Sequence, residues 1–257
     1  MLFRLLILLL INLVCSQTLY DSVSGYRFSS FSARSFVLGS SSSLTDTSPL
    51  GFHINPANIS NNSKSNFLIA SGYILNSNLE RRGFVVKDYF GDYLTESDYV
   101  KNSSNYNYFP IGIKLDRKYE KLKISLVASL TPHSNYNYRY EEEVRGSLSA
   151  IDGQIFSRDP LVGYHIFETK GEQQLISMGS ALLINLLDDL TISAGLSLNS
   201  LQESEISEKL YVDKIIEDSE QISNLGSYSV SYTLDKTQFI SLGTTIRKRN
   251  FQFSFSF

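Results

Sequence analysis

The chain alternates apolar and polar residues over much of its length. Between residues 190 and 199, Leu, Ile and Ala occupy the even positions, and Thr, Ser, Gly and Asn occupy the odd positions. Successive side chains of a β-strand point to opposite faces, so this segment predicts a strand with one apolar face and one small, polar face. The same period predicts strands near residues 65–76, 108–116, 121–131, 173–186, 190–202, 226–234, 237–247 and 250–257. The chain is therefore predicted to be all-β.

The connections between these strands are alternately short and long. The short ones are 116–121, 188–189 and 235–236, and the long, polar ones are 77–107, 132–172 and 203–226. Short turns on one side and long loops on the other are typical of transmembrane barrels. We therefore predict an antiparallel transmembrane β-barrel of eight to twelve strands, in which segments 134–155 and 205–217 either add strands to the first eight or extend them.

The C-terminal strand has the clearest alternation. Phe occupies every odd position from Phe251 to Phe257, and Gln or Ser occupies every even position. Such an aromatic face is favourable toward lipid and an aggregation hazard in water. The ending resembles the C-terminal signal by which bacterial outer-membrane barrels are recognised for assembly, so we expect Phe253, Phe255 and Phe257 to form an assembly signal. The alternative is the last strand of a soluble β-sandwich.

Residues 1–16 predict a secretory signal peptide. A short positive region ending at Arg4 precedes an apolar run over 5–14, which is too short to span a membrane as a helix. Lipidation at Cys15 is the alternative, although Val14 departs from the residues that precede a lipidated cysteine. Because Cys15 is the chain's one cysteine, the mature chain would have none, which fits the bacterial envelope. We expect the protein in the bacterial outer membrane.

Composition and motifs do not favour nucleic-acid binding or catalysis. The 23 basic and 26 acidic residues give a net charge of −3, without the basic excess of a nucleic-acid-binding protein. The three histidines, His53, His133 and His165, lack metal-ligand spacing, and the phosphate-binding and hydrolase motifs are missing. We therefore expect no enzyme, and we assign no catalytic residue, metal site or cofactor.

Residues 17–64 alternate poorly and predict an N-terminal segment separate from the barrel of 65–257. Within it lie Ala33-Arg34-Ser35, Leu38-Gly39, a serine run, Thr45-Asp46-Thr47 and Asn55-Pro56-Ala57. These motifs resemble the start of the FadL-like long-chain fatty acid outer-membrane transporters, to which PorV-type barrels are related. The resemblance implies a hatch inside the barrel lumen, with Asn55, Pro56 and Ala57 taking part in ligand gating. Because barrels of this family have about fourteen strands, the alternative to eight to twelve strands is an incomplete or shortened 14-strand family barrel. Asn-Pro is also a common opening for a turn, so a purely structural role is open.

Three functional hypotheses follow. The first is an outer-membrane barrel that takes up or binds small hydrophobic molecules such as long-chain fatty acids. The second is a structural or secretion-assembly barrel of the PorV type without a substrate of its own, and the third is a soluble secreted β-sandwich. For the barrels, the expected partners are outer-membrane lipid and the barrel assembly machinery, with a hydrophobic ligand for the transporter. If alternate residues face lipid, Arg at Ala194 should be more damaging than Arg at Ser193 or Ser197.

Overall fold

The protein is all-β with antiparallel sheets, as the alternation predicts. The computed structural model describes residues 25–28, 31, 46–81, 85–87, 89–90, 93–96, 99–145, 161–187, 189–215, 225–249 and 251–257. Of the described residues, 73% lie in strands and 5% in helices. The predicted signal peptide (1–16), Ala33-Arg34-Ser35, Leu38-Gly39, the serine run of 40–43 and Thr45 lie outside the described residues.

Sixteen strands and two short 3-10 helices make up the described structure. The helices are Pro49–Gly51 and Pro56–Asn61. The strands are β1 (Tyr26–Arg27), β2 (Phe67–Ala70), β3 (Tyr73–Arg81), β4 (Val85–Lys87), β5 (Tyr93–Glu96), β6 (Val100–Tyr108), β7 (Ile111–Tyr119), β8 (Leu122–Asn135), β9 (Tyr138–Arg145), β10 (Leu161–Lys170), β11 (Glu172–Leu187), β12 (Leu190–Leu201), β13 (Ser204–Lys214), β14 (Tyr228–Leu234), β15 (Thr237–Lys248) and β16 (Phe251–Ser256).

The strands form two large sheets and a small hairpin. In the first sheet the order is β16-β15-β12-β11-β8-β7-β2, and β1 also pairs with β8. In the second sheet the order is β14-β13-β10-β9-β6-β3, and β4 pairs with β5 alone. All the pairings are antiparallel.

The two large sheets are the two halves of one meander of long, bent strands. Leu201 of β12 pairs with Thr237 of β15. Ser204 of β13 lies three residues after Leu201, and it pairs with Leu234 of β14, which lies three residues before Thr237. The register therefore continues across the break, and β14 and β15 are one strand with a bend. The predicted turn at residues 235–236 is wrong for this reason: both halves of that strand pair with the strand before it, and not with each other.

Seven long strands result, each beside its neighbour in sequence. They comprise β2 with β3, β6 with β7, β8 with β9, β10 with β11, β12 with β13, β14 with β15, and β16 alone. All eight predicted strands coincide with observed ones, but 226–234 and 237–247 belong to one long strand. Among the described residues, β2 and β3 pair only toward β7 and β6, and β16 pairs only with β15. The sheet described is open at these two edges, so closure into a barrel is not seen.

The first sheet has its apolar residues outside and its polar residues buried. Its exposed apolar side chains include the following, each 40–62% accessible: Leu68, Ile111, Ile113, Leu115, Leu126, Met178, Leu182, Ile184, Leu196, Leu198, Ile240, Leu242 and Ile246. Its buried polar side chains include Lys114, Asp116, Lys123, Ser125, Ser129, Ser177, Ser193, Ser197, Asn199, Ser241 and Thr245. We call these two faces the outer face and the inner face. No helix within the described ranges is long and apolar enough to cross a membrane.

Candidate functional site

A short segment of the N-terminal region covers the inner face of the first sheet. This inner segment, Asp46–Asn62, contains both 3-10 helices and contacts β8, β11, β12 and β15. Pro49 and Pro56 stand at the helix starts, where a missing N–H is tolerated. Asn55 caps the second helix, because its Oδ1 accepts a hydrogen bond from the Ala57 N–H at 3.2 Å. The Asn-Pro-Ala motif is therefore the start of a capped helix.

Glycines in the wall allow the Asn-Pro-Ala motif to approach the strand backbones. Gly195 of β12 pairs directly with Gly243 of β15 beneath the motif. A Cβ on Gly195 would lie 2.5 Å from the Pro56 carbonyl carbon and 2.7 Å from the Ala57 nitrogen. A Cβ on Gly243 would collide with the Asn55 Oδ1. The three motif residues are buried in this contact, with Asn55 2% and Ala57 0% exposed.

The next polar residue, Asn58, connects the inner segment to the last two strands. Its side chain is fully buried, and its Oδ1 accepts hydrogen bonds from Thr245 Oγ1 at 2.9 Å and Ser254 Oγ at 3.4 Å. The Thr245 and Ser254 hydroxyls are themselves 3.0 Å apart. The sequence analysis did not identify Asn58, because an Asn beside the motif has no distinctive pattern until its partners across the sheet are known.

A buried group of three charged side chains lies at the C-terminal end of the inner segment, beside Ser60 and Asn62. Asp116 Oδ2 is 3.0 Å from both Lys114 Nζ and Lys123 Nζ, and the three side chains are 1%, 0% and 10% exposed respectively. Lys123 Nζ donates to the carbonyl oxygens of Ser60 at 2.9 Å and Asn62 at 2.7 Å. Carbonyls at the C-terminal end of a helix lack partners within the helix and attract cations. This charged cluster therefore holds the end of the second helix against the wall.

All three residues of the charged cluster lie on the polar faces of predicted strands. The alternation predicts that Lys114, Asp116 and Lys123 share the inner face, since Lys114 and Asp116 are two residues apart and both oppose the apolar positions. It does not predict that they meet, because Asp116 and Lys123 lie in different strands. The charged cluster was missed for that reason, although two inward-facing lysines on adjacent strands are a signal that an acidic partner must be near.

Two titratable residues of the inner segment are perturbed by burial. The pKa of His53 is lowered to about 4, chiefly by desolvation and also by the nearby His133, against a backbone hydrogen bond with Leu50 that raises it. Desolvation also raises the pKa of Asp46, although the Ser48 N–H donates to its Oδ1 at 2.9 Å and opposes that rise. A neutral His53 and a protonated Asp46 both favour the packed segment.

An aromatic group adjoins the inner segment near the level where the strands bend. The ring centroids of Phe28 and Tyr108 are 5.0 Å apart, and those of Tyr26 and Tyr106 are 5.7 Å apart. Phe31 joins them to the inner segment, with its ring 6.3 Å from that of His53. Tyr106 and Tyr108 are buried, at 2% and 4% exposure. A buried aromatic group thus adjoins the inner segment at His53.

The phenylalanines at the C-terminus lie on the outer face. Phe253, Phe255 and Phe257 are 73%, 69% and 85% exposed. Phe257 is held by its backbone, since it donates to the Leu242 carbonyl at 2.9 Å and accepts from the Leu242 N–H at 2.8 Å. The three side chains therefore share one exposed face and are separate from the inner segment.

Similarity to known proteins does not identify this site. Of the motifs that resemble FadL-like transporters, the structure describes Asp46-Thr47 and Asn55-Pro56-Ala57. Comparison with protein-family models, with curated proteins and with solved structures finds no match to this chain.

Proposed function

We propose that the chain is a bacterial outer-membrane β-barrel protein that takes up or binds small hydrophobic molecules, with its inner segment in the lumen. The observation that carries this proposal is the inverted polarity of the first sheet, with aliphatic side chains outside and serines, threonines and charges inside. Burial of polar groups beneath an exposed apolar surface is unfavourable in water. It is the arrangement that a barrel wall requires in lipid.

The length of the first sheet fits a membrane. β12 has 12 residues. At about 3.3 Å per residue and a tilt of about 45°, such a strand spans about 28 Å, close to the apolar band of about 25 Å in outer-membrane barrels. The second sheet is richer in charge, with Glu141, Glu142 and Glu143 in β9 alone. In this proposal the first sheet crosses the membrane and the second sheet projects beyond it.

The same distribution argues against the soluble β-sandwich. A sandwich buries the apolar faces of two sheets against each other. Here the buried apolar cluster consists of Phe52, Ile59, Val127 and Ala181, and two of these four belong to the inner segment. The two large sheets are joined end to end by continuous strands.

The aromatic group supports a hydrophobic ligand. Its Tyr106 and Tyr108 rings are buried, and it adjoins the inner segment through the contact between Phe31 and His53. In this proposal a hydrophobic molecule reaches these rings when the inner segment is displaced. The gating role expected for Asn55, Pro56 and Ala57 is consistent with their position between the inner segment and the strands of the wall.

The charged cluster favours the second candidate, a structural or secretion-assembly barrel. Lys123 Nζ donates to the Ser60 and Asn62 carbonyls of the inner segment. Displacing the segment would leave this buried ammonium group without these acceptors, which costs about 1–3 kcal/mol for a neutral group and more for a charged one. An inner segment held in this way is suited to a permanent plug. A transporter must open it, and a structural barrel need not.

Fractionation and uptake separate these hypotheses. Recovery of the full chain in the soluble periplasmic or culture fraction would reject the barrel.

For the transporter, liposomes containing the purified chain should take up a labelled long-chain fatty acid faster than empty liposomes. Asp116→Asn should increase that rate, because it loosens the inner segment. Asp189→Asn, which alters an exposed ion pair with Arg249, is the matched control. Uptake no faster than in empty liposomes for all three proteins would support the structural barrel.

A further inference from the structure

A cleft with a volume of about 580 Å³ lies on the second sheet. Its lining comes from β3, β6, β9 and β10, near the level where the long strands bend. The volume falls in the range of about 300–1,000 Å³ that small-molecule sites occupy. The cleft includes no residue of the inner segment or of the first sheet among its described lining residues, so it is separate from the candidate site described above.

The strand register aligns polar side chains across the cleft. Asn78 of β3 pairs with Ser103 of β6, which pairs in turn with Arg139 of β9. Two residues further along β6, Asn105 pairs with Asn76. Residues directly opposite each other share one face of a sheet, so these five side chains lie on the same face. The three asparagines are exposed, and each amide offers two hydrogen-bond donors and an acceptor oxygen.

A buried hydroxyl group also lines the cleft. Ser104 is 4% exposed, and its Oγ forms no hydrogen bond with any residue in the described part of the chain. Leaving a buried polar group unpaired is unfavourable. A molecule bound in the cleft can supply the hydrogen bond that these residues do not.

The charged side chains of the lining are already balanced. Arg139 Nη2 is 3.0 Å from Glu141 Oε2, and Arg139 Nη1 donates to the Tyr211 hydroxyl at 3.3 Å. Lys170 Nζ is 2.9 Å from Glu168 Oε1. A phosphate or carboxylate would have to compete with these carboxylates for the two cations. The lining therefore favours a neutral ligand.

We propose that this cleft binds a neutral saccharide. Each sugar hydroxyl both donates and accepts hydrogen bonds, and so do the amide and serine side chains that face it. Several hydroxyls on one rigid ring can bond to the three asparagine amides at once, and another can pair with Ser104. An extended peptide is instead recognised chiefly through main-chain pairing with a strand, for which side-chain amides are not required. The inference does not rest on the membrane location, because the cleft lies outside the first sheet.

Two sources supply this chemistry, a free oligosaccharide and the headgroup of a glycolipid. The full-length protein is purified in a detergent without a sugar headgroup, since a glycoside detergent would compete for the cleft. It is applied to an array of neutral oligosaccharides, acidic oligosaccharides and peptides, and we expect saturable binding to at least one neutral oligosaccharide. Titration calorimetry then compares that oligosaccharide with a glycolipid carrying the same sugar in the same micelles. Equal affinity indicates a free oligosaccharide, and at least tenfold tighter binding of the glycolipid indicates a headgroup.

Variants of β6 test whether the sugar binds in the cleft. Asn105→Ala should weaken the affinity at least tenfold, whereas Asn107→Ala, on the same strand and face but outside the lining, should not. Ser104→Ala should also weaken the affinity without lowering the unfolding midpoint, because it removes a hydroxyl that is unpaired in the described structure. Its control is Ser77→Ala, which lies directly opposite Ser104 and outside the lining.

The proposal is overturned if the protein binds no neutral oligosaccharide or glycolipid, or binds only acidic sugars or peptides. Wild-type affinity in both Asn105→Ala and Ser104→Ala also overturns it, because the sugar would then bind elsewhere. A lower unfolding midpoint in Ser104→Ala overturns the assignment of that hydroxyl to the ligand, since it would show that the hydroxyl supports the fold.

Discussion

Replacement of Gly195 by alanine tests whether the inner segment is packed against the wall. The added Cβ would lie 2.5 Å from the Pro56 carbonyl carbon, 2.7 Å from the Pro56 oxygen and 2.7 Å from the Ala57 nitrogen. Carbon contacts are optimal at about 3.5–4.0 Å, so the segment must retreat by about 1 Å. The atoms that clash with the added Cβ belong to the backbone of a proline-containing helix, so a rotamer change cannot relieve the clash.

The expected magnitude follows from two opposing effects. Overpacking typically costs about 1–3 kcal/mol. Replacing glycine by alanine where the backbone is compatible restricts the unfolded chain and recovers about 0.4–1 kcal/mol. Gly195 is not among the positive-φ residues of the described structure, so this gain applies. We expect a net loss of about 1–2 kcal/mol in the free energy of unfolding.

Two measurements report this loss. One is the unfolding midpoint in detergent or lipid. The other is the rate of maleimide labelling of a cysteine introduced by Ser60→Cys. Ser60 is 1% exposed in the inner segment, so the cysteine is accessible only when the segment moves. The chain's one native cysteine, Cys15, lies in the predicted signal peptide. Labelling should be slow with Gly195 and fast with Gly195→Ala. Gly226→Ala is the control, since its Cβ would meet nothing within 4 Å. An unchanged midpoint together with slow labelling in Gly195→Ala would refute the close packing.

Further predictions concern charge, lipid contact, pH and assembly. Asp116→Asn should lower stability by about 3–5 kcal/mol, because it leaves two buried ammonium groups unpaired, whereas Asp189→Asn in an exposed pair should change the unfolding midpoint little. Ala194→Arg should lower folding stability in lipid by about 2–4 kcal/mol, and Ala194→Leu should not. Folded His53 has a pKa of about 4, below its ordinary value. Between pH 6.5 and 4 the unfolded chain therefore binds the proton more readily, and the wild type should lose about 1–3 kcal/mol relative to His53→Gln, measured as the difference between their unfolding midpoints. Deleting Phe257 should reduce outer-membrane yield and heat-modifiable mobility without reducing synthesis, while equal yield and mobility would count against an assembly signal.

The sequence pattern predicted the strands of the first sheet because alternation reports a local property. It missed most of the second sheet, since the predicted long loops 77–107, 132–172 and 203–226 contain strands β4–β6, β9, β10 and β13. Whether residues 190–199 have one apolar face depends on the residues themselves and on the geometry of a strand. The pattern could not distinguish a turn from a bend. Residues 235–236 are polar and interrupt two alternating runs, as a turn would. What makes them a bend is the continued pairing with β12 and β13, which is a property of the neighbouring strand.

The candidate site was only partly predictable, for a related reason. Asn55, Pro56 and Ala57 were identified from their motif. Of the two glycines that they contact, Gly195 was noticed only as a polar-face residue and Gly243 was not identified. Gly195 and Gly243 become a binding surface because β12 and β15 are adjacent in register. The charged cluster likewise depends on the pairing of β7 with β8.

The alternation also identifies a face without showing what covers it. From the sequence, Arg at Ser193 or Ser197 should be tolerated, because lumen positions offer water or a carboxylate. In the structure both serines are buried, at 1% and 0% exposure, on the strand that the Asn-Pro-Ala helix contacts. Arg at these positions would have to displace the inner segment, so its effect would not depend on lipid. The effect of Arg at Ala194 does depend on lipid, because that side chain is exposed on the outer face. Comparing each variant in lipid and in detergent therefore separates the two faces, where a simple ranking of their stabilities would not.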